Sequence, residues 1–148
     1  RVSDFSTIQS AVSLLLSTAN TAVAFGNAVN CTATGCATAC SAGGTSVRFA
    51  TTTACSLNAT RGVDGTGWIS IDFSQTSGGS ALSNLPIDPV NSGDNFYAFV
   101  SNVSADTYEI NTELESVKYT TGANDKQGTD GGSTAGLYEV GNDPGLNL

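Results

Sequence analysis

The sequence predicts an α+β protein in which one amphipathic N-terminal helix packs on an antiparallel β-sheet. Three observations carry this. Residues 3–19 place apolar side chains at helical spacing, later segments alternate or run apolar over strand lengths between Gly, Pro, Asn and Asp, and four cysteines stand between residues 31 and 55.

In the helix, Phe5, Ile8, Val12, Leu15, Leu16 and Ala19 form one stripe, and Ser6, Gln9, Ser10, Ser13 and Ser17 fill the opposite face. Ser3 or Asp4 suits the N-terminal cap, and no Gly or Pro interrupts before Gly26. Burying Phe5, Ile8, Val12, Leu15 and Leu16 yields on the order of 10 kcal/mol before ordering costs. So short a helix is marginal alone in water, so it is expected to lie on a sheet. The chain starts at Arg1 rather than Met, which predicts a processed or trimmed form whose absent N-terminal segment continues the same helix. No run of about 18 apolar residues remains to span a membrane.

Cys31, Cys36, Cys40 and Cys55 lie in a loop segment, residues 20–58, otherwise rich in Ala, Thr, Gly and Ser. Two disulfides are expected, with all three pairings open, and they place the chain in an oxidising compartment. Zinc is the rival reading. Its usual paired Cys-x-x-Cys knuckles are absent, and the sequence has no histidine. Segment 20–46 has little to bury, so crosslinks of about 2–4 kcal/mol each would substitute for a core.

Strands follow. Residues 45–52 and 67–73 alternate, with Val47 and Phe49, then Ile69, Ile71 and Phe73, on the inner face, and Trp68 among the alternating partners. Residues 96–100 are apolar on both faces, as in a strand held between two layers. After a loop at 102–106, Tyr108, Ile110, Thr112 and Leu114 alternate with Thr107, Glu109, Asn111, Glu113 and Glu115. An antiparallel hairpin with the second set facing water is therefore expected. Residues 74–95 read as an ordered connection, 120–136 as a Gly, Asp and Asn loop, and 137–140 as a short last strand. One domain, 1–148, is the expected organisation, with sheet and loops over 59–148.

Charge and composition narrow the function. Thirteen acidic against five basic residues give a net charge of −8, which argues against phosphate-backbone binding. With no histidine there is no imidazole base for a Ser or Cys nucleophile, and no phosphate-binding loop is present. The carboxylate pairs Asp64 with Asp72 and Asp88 with Asp94 are the available acid–base candidates, although turn capping is the usual role of such residues. No enzyme is expected. In the loop at 122–133, Asn124, Asp125, Asp130 and Ser133 supply oxygen donors that suit calcium, which would hold the loop rather than react; a solvated loop is the alternative. No other cofactor is expected. Sequons at Asn30, Asn58 and Asn102 leave glycosylation open.

The opening Arg1-Val-Ser-Asp-Phe-Ser-Thr-Ile-Gln-Ser-Ala resembles bacterial type IV pilins and type II secretion pseudopilins just past their membrane-inserted half-helix. The succession 85–91, 96–99, 107–111 and 114–116 is similar to the globular half of those proteins, and 136–141 to their ending. The resemblance covers most of the chain except the cysteine segment. It implies a structural subunit that self-assembles with other pilin subunits into an extracellular filament reached through the inner membrane. Membrane attachment would lie in the absent N-terminal helix, and Phe5, Ile8, Val12, Leu15 and Leu16 would carry the assembly helix onward. Adhesion, motility and uptake remain open as the filament's task. Pseudopilins of the major type bind calcium in a C-terminal loop, where Asp125 and Asp130 are the positions that match. The four cysteines depart from the pattern by preceding Asn58, whereas better-studied pilins close a C-terminal loop. A pseudopilin, or a secreted carbohydrate- or receptor-binding module using Trp68, Tyr97 and Tyr119, is the alternative.

Overall fold

The computed structural model describes residues 1–19, 22–40, 48, 49 and 54–148. Helix α1 spans Val2–Thr18, and Ala19 turns extended while its N–H still reaches the Leu15 carbonyl. Neither Ser3 nor Asp4 caps it: Arg1 holds the cap position without a side-chain bond, and Asp4 instead accepts from the Tyr97 hydroxyl at 2.6 Å.

The buried face of α1 is Phe5, Ile8, Ala11, Val12 and Leu15. Leu16 departs from expectation, being 46% exposed. At 3.6 residues per turn it lies about 80° from the centre of that stripe, and Ala11 takes the inward place instead.

Strands β1 (Val29–Cys31), β2 (Ser56–Leu57), β3 (Ala98–Asn102), β4 (Thr107–Thr112) and β5 (Tyr138–Gly141) form one sheet in the order β2-β1-β3-β4-β5. The expected β3–β4 hairpin is present, with Phe99 opposite Ile110 and Val100 opposite Glu109. Its turn is held by Asn102, whose side chain accepts from the N–H groups of Ser104 and Ala105. The sheet is mixed rather than antiparallel throughout, because β1 and β2 run parallel. Strand β1 also corrects the reading of 20–58 as loop alone, since it lies inside the sheet against β3.

Two apolar layers cover the sheet. The larger packs α1 against Phe25, Trp68, Ile69, Ile71, Phe73, Tyr97, Phe99 and Ile110, with Phe5 edge-on to Tyr97 at 4.9 Å. The second joins the four cysteines to Ala33, Phe49, Phe96, Ala98 and Val100. The short helix α2 (Cys36–Ala39) belongs to it, so the cysteine segment does have a core to bury. This second layer is also why Glu109 and Asn111 are buried, contrary to their expected exposure.

Residues 67–73 do not form a ladder strand. They are tied by isolated bridges, Phe25 to Ile71 and Asp64 to Asp72, and Phe73 opens a 3-10 turn, Phe73–Gln75. The backbone is diverted locally: Trp68 N–H donates to the Thr60 carbonyl, and a Cβ at Gly67 would strike the Gly62 carbonyl oxygen. Trp68, Ile69, Ile71 and Phe73 are nonetheless all buried, so burial on both sides replaced the expected alternation. The strand expected at 45–52 lies outside the described residues except Arg48 and Phe49, both buried.

Candidate functional site

The start of α1 is fastened by ionic contacts that join distant parts of the chain. Arg1 donates to Asp88 from Nε at 2.5 Å and from Nη2 at 3.0 Å, and its Nη1 lies 2.7 Å from Glu115. Asp88 sits in a Pro-flanked turn and accepts as well from the N–H groups of Val90 and Asn91. Burial alone would raise the Asp88 carboxyl, but Arg1 and these amides reverse that and hold it below its usual range. Beside this clamp a cleft of about 720 Å³ is lined by Arg1, Val2, Ser6, Leu114, Tyr119 and Lys126.

The outer face of α1 is polar except for Leu14, 43% exposed, and Leu16. A second groove of about 520 Å³ runs between this side of the helix and Tyr108, Gly141 and Asn142. Of the residues expected to carry the assembly helix, Phe5, Ile8, Val12 and Leu15 therefore hold α1 to its own domain, and Leu16 faces outward.

The cysteines pair Cys31 with Cys36 and Cys40 with Cys55, which resolves the three open connectivities. Both disulfides lie within the second apolar layer and crosslink β1 to α2 and α2 to the segment entering β2.

The loop expected to suit calcium is shaped by its own side chains. Asp125 accepts from the N–H groups of Gln127 and Gly128, and Asp130 from those of Gly132 and Glu139. Asn124 and Ser133 are exposed. Backbone amides of the loop and of β5 thus engage both carboxylates. Among the described residues no group of three or more His, Cys, Asp or Glu is placed to hold a metal ion. The Asp130 bond to Glu139 also covers an outward N–H of the edge strand β5, which blunts that edge against further strand pairing.

Glu109, which alternation placed toward solvent, is buried beside Glu139 inside the protein. Glu109 on β4 accepts from Asn111 Nδ2 at 3.1 Å and from Leu148 N–H at 3.2 Å. Glu139 on β5 accepts through Oε2 from Thr134 N–H at 2.8 Å, while its buried Oε1 has no hydrogen-bond donor. Burial raises both carboxyls, and the charge of Glu139 beside it raises Glu109 further. No sequence signal marks this pair, because alternation on β4 places Glu109 on the face that the cysteine layer later covers.

The acid–base candidates are arranged for turns. Asp64 accepts from Thr66 and Asp72 from Ser74, through both hydroxyl and N–H in each case, and these bonds lower both carboxyls. Neither is kept protonated, so this pair supplies no general acid at neutral pH. Asp88 is engaged with Arg1. Trp68 and Tyr97 are fully buried, with Trp68 Nε1 donating to the Pro86 carbonyl, so they offer no stacking face to a sugar. No protein-family model, curated protein or solved structure matches this chain.

Proposed function

We propose that this chain is the globular part of a type IV pilin, a structural subunit of a surface filament. The observation that carries the reading is the leading helix, which rests by one apolar face on the larger core layer, with Phe5 against Tyr97 and Tyr138, and turns Ser-rich surface with Leu14 and Leu16 outward. A helix held in this way leaves one face available to neighbouring subunits. The order of motifs along the sequence supports the same family, and two buried disulfides suit an oxidising compartment.

In this reading the partners are other pilin subunits, and the membrane is reached through a hydrophobic helix encoded upstream of Arg1. The Arg1 clamp on Asp88 and Glu115 would fix the direction in which that helix leaves the domain. No contact with nucleic acid is part of the function.

The test is the reading frame upstream of Arg1 together with immunogold labelling of host cells. A short basic leader, a cleavage site and about 20 apolar residues in phase with Phe5 and Ile8 are expected. Label is expected along surface fibres. An ordinary cleaved signal peptide directly before Arg1 would overturn the reading, and label confined to a short periplasmic assembly would move the chain to the pseudopilins.

A further inference from the structure

We propose that Glu109 and Glu139 share a single proton at neutral pH, and that this carboxyl–carboxylate pair is a pH-sensitive latch joining β4, β5 and Leu148. The geometry requires a donor between them. Asn111 stands directly across from Glu139 in the β4–β5 register, and Glu109 sits two residues before it on the same face. Glu109 has donors from Asn111 and Leu148, and Glu139 Oε2 has one from Thr134, but Glu139 Oε1 is buried with none. A buried carboxylate oxygen without a donor is costly, and a proton carried by Glu109 supplies that donor.

Among the described residues no cation is paired with either carboxyl. Strand β3 places Val100 and Ala98 opposite Glu109 and Asn111. The Arg48 carbonyl accepts from Asn111 Nδ2, while the Arg48 guanidinium lies over Phe96 and feels Glu113, Asp94 and Asp88. From the loop, Asp130 faces Glu139 and adds negative charge, with Asp125 behind it. Among the described residues the side-chain charges acting on the pair are acidic. One bound proton leaves the pair with one negative charge; its loss leaves two adjacent buried carboxylates that repel.

Burial, with the like charge of Glu139 adding to it, pushes Glu109 up to about 8. The folded protein then retains a proton that the unfolded chain has lost, from the ordinary glutamate range up to that value. Stability from the pair is full at acidic pH and declines as pH rises through this window. The inference is independent of the filament reading.

The test compares wild type with Glu109→Gln and Glu139→Gln by denaturant unfolding across pH and by carboxyl carbon NMR of the folded protein. Relative to Glu109→Gln, the wild-type folding constant is expected to fall about tenfold per pH unit between about pH 5.5 and 7.5. The Glu109 carboxyl signal should titrate with its midpoint above neutrality. If Glu109→Gln does not fold, Glu139→Gln still decides. Its amide donates to Glu109 in place of the proton and keeps the Thr134 acceptor, so the Glu109 midpoint should drop by more than about one unit. Midpoints for both glutamates in the ordinary glutamate range would overturn the proposal. So would abolition of the pH step by excess calcium chloride, which would show that a cation bridges the pair.

Discussion

Replacing Asp88 by Asn tests whether the clamp at the head of α1 holds the helix to the sheet. Asp88 is buried and takes two bonds from Arg1, at 2.5 and 3.0 Å, plus two backbone amides. The Asn amide oxygen can still accept from Val90 and Asn91, but its NH₂ faces the guanidinium with donors against donors. Charge-assisted hydrogen bonds contribute about 1.5–3 kcal/mol each, and removing one member of a buried pair costs about 3–5 kcal/mol. Arg1 retains Glu115, whose side chain is 57% exposed and therefore a weaker partner. A net loss of about 2–3 kcal/mol at pH 7 follows from these opposing effects. Urea unfolding should show it as a midpoint lowered by about 1–2 M. Acid supplies an internal control. Because Asp88 is held below its usual range when folded, its contribution is present at neutral pH and is lost as pH falls through the folded value. The gap between wild type and Asp88→Asn should therefore narrow as pH falls below the ordinary aspartate value of about 3.9 and close once the folded carboxyl is protonated. A gap under about 0.5 kcal/mol at pH 7, or one that persists in acid, would refute the reasoning.

Two further outcomes separate neighbouring residues and crosslinks. Leu15→Ala should cost about 2–5 kcal/mol, because it opens a cavity under the helix, whereas exposed Leu16→Ala should cost under about 0.5 kcal/mol; thermal unfolding distinguishes them. Replacing Cys40 and Cys55 by Ser should cost about 3 kcal/mol, in line with the 15-residue sequence separation that this disulfide closes, measured by denaturant unfolding without reductant.

The leading helix was legible because its stripe is local: Phe5, Ile8, Val12 and Leu15 recur within one element, and any apolar layer would bury them. The β3–β4 hairpin was legible for the same reason, since alternation and a short polar turn act over neighbouring residues. Failure came where a second layer arrived from far along the chain. Glu109 and Asn111 look like the solvent face of a half-buried strand, and only the cysteine layer, brought over β3 by β1 and α2, covers them. Residues 67–73 keep a strand's alternation, yet close approach at Gly67 and bonds to residues 60–63 turn their backbone away from the ladder.

The sequence by itself determined the α+β class, the even set of cysteines, the amphipathic front helix and the excess of acid, because composition and short-range periodicity express them directly. Tertiary structure decided which cysteines pair, that β1 and β2 run parallel, that Arg1 meets Asp88 across 87 positions, and that two glutamates face each other out of water. Each of these depends on which distant segments share the same small volume, and separation along the chain carries no record of that.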